Sequence, residues 1–220
     1  MNIHNLIREE KKSNKKFRKL LDHIQKEYEN KIICPKYSNI FEAFQERDIE
    51  DFNVIILGVE PYAVSELADG YAFSVNQGEK PTQVLENIFR ELEMDLKIKR
   101  NGKTSLKGWA DQGVLLLNTI LTVEEGKPAS HDSFGWQAFT LEIFYRLLES
   151  KKPKVFVLWG QKALDYSGLI NSYKHNGHRW IGGAYPSNLT ANSGFYGSRP
   201  FSRVNRFLAE NNLSAVDWSK

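Results

Sequence analysis

Four apolar runs along the chain predict buried β-strands. Each run is rich in β-branched and aliphatic residues and lacks the polar alternation of a half-exposed strand. The predicted strands are Val54–Gly58, Val114–Asn118, Val155–Gly160 and Trp180–Pro186, with Thr119–Val123 continuing the second of them. A shorter stretch, Ala68–Val75, is predicted as an additional short strand. Continuous apolar strands of this kind are typical of a parallel sheet that is covered on both faces.

Helical spacing of apolar residues predicts helices between these strands. A charged N-terminal helix is predicted at about Asn2–Asn30 and a short second helix around Ile40–Phe44, before the first strand. The remaining predicted helices are Val84–Met94, Trp136–Leu148 and Arg199–Asn211. Strands that alternate with helices predict an α/β fold, here a single domain over residues 1–220 with a central, mainly parallel four-stranded sheet flanked by helices.

Composition places few limits on function. The 220 residues are 41% hydrophobic and 26% charged, with a formal net charge of +3, which permits nucleic acid as a partner without demanding it. The charged N-terminus is unlike a signal peptide and no apolar run reaches membrane-spanning length, so we expect a soluble, cytoplasmic protein that does not bind membranes.

Several kinds of chemistry have no support in the sequence. Cys34 is the single cysteine, which excludes an internal disulfide, and beside Pro35 it is best interpreted as a packed residue. The histidines show no metal-ligand spacing, and His175 with His178 is expected to be a solvated pair in a polar loop. The dinucleotide fingerprint, the phosphate-binding loop and the nucleophile elbow are also absent. We therefore expect no metal, no cofactor and no covalent catalysis by serine or cysteine.

Polar side chains follow three of the predicted strands where each strand ends. They are Glu60 with Tyr62, Asn118, and Tyr185 with Ser187. Because the carboxyl ends of parallel strands lie along one edge of a sheet, these residues can converge on one pocket, and Phe73 could add an aromatic wall.

Each of these residues also has a purely structural interpretation. Glu60 could cap the following segment or face solvent, and Asn118 could cap a helix or turn. Phe73 could belong to the core, and Tyr185 could be a partly buried aromatic residue with a bonded hydroxyl. Taken together, they favour a pocket for a flat ring that forms hydrogen bonds.

The ordered motifs of the chain resemble those of the uracil-DNA glycosylases of the family-1 type, from about Phe17 to Trp218. Gly58–Ala63 stands where that family has Gly-Gln-Asp-Pro-Tyr-His. The other matching segments are Ala72–Val75, Leu85–Leu92, Gly108–Asn118, Leu121–Val123, Ser130–His131, Gly135–Trp136, Leu158–Gly160, Tyr185–Thr190, Gly194–Gly197 and Arg199–Ser202.

The resemblance implies a DNA glycosylase that flips its target nucleotide into the pocket and hydrolyses the N-glycosidic bond. By motif position, Phe73 would stack on the base, Asn118 would hydrogen-bond its edge, and Tyr62 would exclude the methyl group of thymine. Glu60 and Tyr185 would be the catalytic residues. The implied DNA-binding residues are Pro81, Gln161, Pro186, Ser187, Arg199 and Leu189, the last as the wedge that fills the vacated stack.

The chain departs from the family pattern at both catalytic positions. Glu60 replaces an Asp that stabilises the sugar cation, and Tyr185 replaces a His that hydrogen-bonds the departing base. Val59, Ala63 and Gln161 are further replacements, and the proline-rich phosphate-gripping loop is reduced to residues 80–84. Glu keeps the negative charge and Tyr keeps a hydrogen-bond donor, but the extra methylene of Glu moves the carboxylate by about an ångström, a displacement that can cost on the order of a hundredfold in rate.

Three functional hypotheses follow. The first is a monofunctional glycosylase acting on uracil or a related, modified pyrimidine. The second is a catalytically impaired reader that binds DNA or a flipped base, and the third is an unrelated nucleotide-binding α/β protein. The expected partner is single- or double-stranded DNA, with a protein inhibitor or replication partner as a further candidate, and the expected oligomeric state is a monomer.

Overall fold

A computed structural model describes residues 3–220, with side chains described from Asn5 onward. The helices are α1 (Ile3–Ser13), α2 (Lys15–Asn30), α3 (Gln83–Leu96), α4 (Lys107–Ala110), α5 (Trp136–Glu149), α6 (Gln161–Leu164), α7 (Ser167–Ser172) and α8 (Pro200–Glu210). The strands are β1 (Ile33–Cys34), β2 (Val54–Gly58), β3 (Val114–Asn118), β4 (Val123–Glu124), β5 (Val155–Trp159) and β6 (Arg179–Gly183).

The central sheet has four parallel strands in the order β3-β2-β5-β6. All residues of β2, β3 and β5 are buried, as their continuous apolar sequences predict. The predicted α/β class with a mainly parallel four-stranded sheet is therefore confirmed. The register places Gly58 beside Asn118 and Trp159 beside Gly183, so the carboxyl ends of all four strands meet at one edge. β1 and β4 form a separate antiparallel pair.

One hydrophobic core extends from Leu6 in α1 to Trp218 near the end of the chain. Its centre is the apolar sheet, and α3 and α8 pack against each other beside it. Cys34 is fully buried in a small satellite cluster with Ala68 and Val123, in agreement with its interpretation as a packed residue.

The predicted strand at Ala68–Val75 is wrong. These residues form turns, because the buried carboxylate of Asp69 accepts hydrogen bonds from the Tyr71 N–H and the Ser74 hydroxyl. Such an Asx turn gives the backbone an alternative to strand pairing. Phe73, which lies within this turn, has a positive φ of 66°.

The strand extension over Thr119–Val123 is also wrong. β3 ends at Asn118, and the chain crosses the end of β2, where Thr119 N–H donates to Gly58 O at 3.1 Å. The fourth predicted strand, Trp180–Pro186, is shortened to Arg179–Gly183, since Ala184 N–H turns away to Gly194 O.

The predicted N-terminal helix is divided at Asn14, and Met1 and Asn2 lie outside the described residues. The Asn14 side chain accepts hydrogen bonds from Lys16 and Phe17 N–H groups and so begins α2. The predicted helix at Ile40–Phe44 is replaced by single 3-10 turns at Tyr37–Asn39 and Glu42–Phe44.

The expectation that His178 is solvated is wrong. Its ring is buried, with Nδ1 accepting from Lys154 N–H at 3.1 Å and Nε2 donating to Leu148 O at 2.9 Å. His178 thereby joins the end of α5 to the start of β5. Across residues 3–220, no cluster of three side chains suited to holding a metal ion is found, and none of the helices in this range has both the length and the apolar character needed to cross a bilayer.

Trp218 offers a test of how the C-terminal segment contributes to the core. Its ring packs edge-on against Trp109 and Phe201, each at a centroid distance of 5.0 Å, and Trp218 O accepts from Trp109 Nε1 at 3.0 Å. We expect Trp218→Ala to lower the free energy of unfolding by about 3–5 kcal/mol in chemical denaturation. Trp218→Phe should cost much less, because it removes an indole N–H that has no partner among residues 3–220. Equal losses in the two variants would contradict this account.

Candidate active site

The loop after β2 begins at a glycine that the site requires. A Cβ on Gly58 would collide with Asn118 Oδ1 and would lie 2.8 Å from Ala72 Cβ. The loop is then fixed from the other side, since Ile120 N–H donates to Val59 O at 2.9 Å and the Thr119 hydroxyl donates to the same oxygen at 3.0 Å. Glu60 therefore leaves the sheet edge in a defined direction.

The Glu60 carboxylate is held by a backbone amide. Ala129 N–H lies 3.2 and 3.0 Å from the two Glu60 oxygens, and Ala129 itself has a positive φ of 63°. Burial raises the pKa of Glu60, and nearby Asp132 adds to this effect, whereas the Ala129 N–H and the positive charge of Lys162 oppose it. Glu60 is thus a partly buried carboxylate with one fixed hydrogen-bond partner.

Tyr62 is immobilised by two hydrogen bonds through its hydroxyl group. The hydroxyl donates to Phe73 O at 3.2 Å and accepts from the Thr82 hydroxyl at 2.8 Å. Thr82 is also the N-cap of α3, where its oxygen accepts from Leu85 N–H. Burial raises the pKa of Tyr62 well above its usual value, so the phenol stays neutral.

Phe73 lies at the centre of an aromatic group. Its ring packs edge-on against Trp159 at 5.3 Å and lies 6.2 Å from Tyr185, and the residue is only 8% exposed. The Asp69 turn that replaces the predicted strand directs this ring toward the end of β5. Burial raises the pKa of the Asp69 carboxyl, and hydrogen bonds from Ser74, Tyr71 and Ser105 oppose the shift.

Asn118 and Tyr185 present polar groups without protein partners. Asn118 is 5% exposed and Tyr185 is partly buried, and within residues 3–220 no hydrogen bond is found for the Asn118 side-chain amide or the Tyr185 hydroxyl. Burial raises the pKa of the Tyr185 phenol, and the charge of Glu60 raises it further. Polar groups without a protein partner remain available to a ligand.

These residues surround one cavity of about 340 Å³ at the carboxyl edge of the sheet. It is lined by Val59, Glu60, Tyr62, Phe73, Asn118, Trp159, Gly160, Gln161, Lys162 and Tyr185. The structure therefore brings together Glu60 and Tyr185 with the three candidate base-binding residues and Gln161. Its size and its mixture of aromatic walls and convergent polar groups suit a small planar ligand.

The other predicted DNA-binding residues lie outside this cavity. Leu189 is 92% exposed at the tip of the loop 185–190, and the Ser187 hydroxyl is engaged with the Thr190 hydroxyl at 2.8 Å. Pro186 is buried. Arg199 has an exposed side chain on the neighbouring loop 194–199, and Pro81 lines a separate cavity with Phe89 and Arg100.

Helix α3 anchors these two loops through residues that the sequence analysis did not single out. Asn87 Nδ2 donates to Pro186 O at 2.8 Å, and Asn87 Oδ1 accepts from the Tyr196 hydroxyl at 2.8 Å. The fully buried Glu91 accepts from Gly197 and Arg199 N–H groups at 2.7 and 2.8 Å. In the sequence, Asn87 and Glu91 are two polar residues four apart beside an apolar helical stripe, and this spacing could have identified them as anchoring residues. Lys162 was also missed, and its position directly after Gly160 and Gln161 could have identified it.

Comparison with known proteins identifies the family. The model of the uracil DNA glycosylase superfamily matches residues 44–209, which is most of the chain. The chain belongs to the uracil DNA glycosylase superfamily. The family resemblance seen in the motifs is thereby confirmed.

Relatives within the superfamily match along nearly the whole chain. A uracil-DNA glycosylase of Brevibacillus brevis is 40% identical over 200 residues, covering 91% of this chain and 86% of the relative. One from Bacillus cereus is 41% identical over 204 residues, covering 92% and 88%. Among solved structures, a mimivirus uracil-DNA glycosylase shares the fold with a TM-score of 0.89 at 21% identity, covering 96% of this chain and 84% of that one. A mimivirus variant of the same type was solved in complex with UGI.

The anchoring role of Asn87 can be tested by Asn87→Ala. The substitution leaves Pro186 O and the Tyr196 hydroxyl without their partner, so we expect the free energy of unfolding to fall by about 1–3 kcal/mol. Amide hydrogen exchange in residues 185–199 should become faster. Glu86→Ala, on the exposed side of the same helix, is the matched control and should change neither quantity. Unchanged exchange in Asn87→Ala would refute the anchoring role.

Proposed function

We propose that this chain is a monofunctional uracil-DNA glycosylase, which flips uracil out of DNA and hydrolyses its N-glycosidic bond to leave an abasic site. The observation that carries this proposal is the single cavity in which Glu60, Tyr185 and Asn118 meet the aromatic residues. Membership in the superfamily and the names of the relatives support the same reaction.

Recognition of uracil is assigned to three residues of the cavity. Phe73, backed by Trp159, supplies a flat apolar wall against which the base stacks. The unpartnered amide of Asn118 both donates and accepts, which matches the adjacent carbonyl and N–H groups on the edge of uracil. Tyr62 is held by two hydrogen bonds and cannot move aside, so it excludes a methyl group at the position that distinguishes thymine.

Hydrolysis is assigned to Glu60 and Tyr185. As the N-glycosidic bond breaks, positive charge develops on the sugar and negative charge on the departing base. The Glu60 carboxylate stabilises the sugar cation and orients the attacking water, while Ala129 N–H fixes its position. Tyr185 donates a hydrogen bond from its neutral phenol to the base oxygen, because its raised pKa keeps the proton in place at neutral pH.

DNA positioning is assigned to the surface around the cavity. Leu189 projects from a loop that α3 holds in place, so it can enter the base stack and fill the space left by the flipped nucleotide. Contacts to the phosphates and sugars of the DNA backbone are assigned to Gln161, Ser187 and Arg199. The shape of the loops that support the strand is assigned to Pro81 and Pro186. These contacts position the strand without reading its sequence.

The proposal is tested by single-turnover release of uracil from single-stranded and duplex oligonucleotides. We expect wild-type protein to release uracil and leave an abasic site. Tyr185→Phe should slow the reaction by about 100- to 1000-fold, because it removes one donor to the departing base. Glu60→Gln, which keeps the shape of the side chain and removes its charge, should abolish release.

The alternative of a reader without catalysis makes the opposite prediction. Tight binding of uracil-containing DNA by wild-type protein, with no release at high enzyme excess, would replace the proposed function with that one. A panel that includes hydroxymethyluracil and modified cytosines in the same assay establishes which pyrimidine the cavity accepts.

The pH dependence of kcat/KM provides a second test. Glu60 must be ionised, and its pKa is raised, so activity should be lost as the pH falls through that raised value. Lys162→Met removes a nearby positive charge and should move this acid limb to higher pH, whereas Asp132→Asn removes a negative charge and should move it to lower pH. Shifts in the same direction in both variants would exclude Glu60 as the titrating group.

A further inference from the structure

A second groove adjoins the base cavity. Its volume is about 670 Å³, and it shares Gly160, Gln161 and Tyr185 with the cavity that we assign to uracil. Its far side is formed by Trp180 and Arg203, together with Thr190 and Ser193, which follow Leu189 in the chain. The two spaces are therefore continuous along the same face of the protein.

Trp180 is the exposed tryptophan of this chain. It is 37% exposed, whereas Trp109, Trp136, Trp159 and Trp218 are at most 2% exposed. The ring is held in place, because its Nε1 donates to Asn171 Oδ1 at 3.1 Å and its benzene edge rests beside Gly182, where a Cβ would lie 2.9 Å from Trp180 Cζ3. A fixed, partly exposed indole is suited to stacking with an unpaired base.

One positively charged side chain, that of Arg203, contributes to the groove. Among the residues described by the structure, no carboxylate lines the groove, and the nearby Asp165 carboxylate accepts from Gln161 Nε2 at 2.7 Å. Arg203 also lines a neighbouring cavity together with Trp180, Arg179 and Arg206, where Arg179 pairs with Glu210 at 3.1 Å. The Arg203 Nη1 group donates to Ser198 O at 3.2 Å, which holds the guanidinium beside the groove and leaves its other donors for an anion.

We propose that this groove binds the single-stranded DNA that flanks the flipped nucleotide, with a base stacked on Trp180 and a phosphate bound by Arg203. The inference rests on the proposed function, since it places the strand in continuity with the base cavity. An aromatic platform combined with a basic side chain is the arrangement with which proteins bind unpaired strands without reading sequence. Stacking on Trp180 requires an unpaired base, so the groove favours single-stranded over duplex substrates.

The test uses the fluorescence of Trp180 in the full chain. The probes are single-stranded oligonucleotides that carry 2′-fluorinated deoxyuridine, whose glycosidic bond resists cleavage because fluorine destabilises the sugar cation. The flank on each side is lengthened one nucleotide at a time. We expect tryptophan quenching to increase when the flank on one side, and only that side, reaches the groove. Trp180→Phe should abolish this increase and keep affinity within a few-fold, because it retains a stacking ring.

Affinity measurements complete the test. Trp180→Ala should weaken binding of the long probe by about 5- to 100-fold and leave the short probe unaffected. Arg203→Ala should make the negative slope of log K against log salt concentration less steep by about 0.7, because one phosphate contact is lost, whereas Arg203→Lys should preserve the slope. Tyr37→Ala, an exposed aromatic residue outside both cavities, is the matched control and should change nothing.

The outcomes separate this inference from the proposed function. Quenching that does not depend on flank length would overturn the proposed role of the groove. Equal affinities of wild type and Trp180→Ala for the long probe would do the same. Continued release of uracil in either case would leave the proposed function intact. Flank-dependent quenching without release of uracil from unmodified oligonucleotides would support the groove and reject the proposed function.

Discussion

Hydrogen bonds from one helix hold the surface that faces DNA in the proposed function. Asn87, Glu91 and Asp95 lie four residues apart on α3 and bind, in turn, the loop 185–190, the loop 194–199 and the start of α8, where Ser202 N–H donates to Asp95 at 2.8 Å. Side chains four apart share one face of a helix, so a single straight element sets the relative positions of all three segments. Because Glu91 is fully buried, its two backbone donors have no competition from water, and the loops are held at a fixed distance from the sheet.

Glu60 and Tyr185, which differ from the family pattern, are both longer than the Asp and His that they replace. Glu60 has one methylene more than the aspartate of the family pattern, and in this fold its carboxylate is stabilised by Ala129 N–H on a loop that also contains Asp132. Tyr185 has a long rigid side chain that lines the same cavity. In the proposed function, a longer acid and a longer donor around the same cavity supply the negative charge and the hydrogen-bond donor that the reaction requires.

Much of the fold followed from the sequence because β2, β3 and β5 are apolar up to their last residues, a pattern typical of strands covered on both faces. The convergence of Glu60 and Asn118 followed from the geometry of parallel strands. The turn that carries Phe73 did not follow, because it depends on how one buried carboxylate, Asp69, selects backbone donors. Lys162 and Trp180 were missed for a related reason: an exposed side chain beside a cavity has no periodic pattern.

Thr82 connects the N-terminal cap of α3 to the position of the Tyr62 side chain. Its hydroxyl oxygen both caps α3 and bonds to the phenol of Tyr62, the residue assigned to exclude thymine. Fraying of the first turn of α3 would release that phenol, since the cap and the steric barrier share one oxygen atom. In the proposed function, the choice of base is thereby linked to the local stability of a helix end.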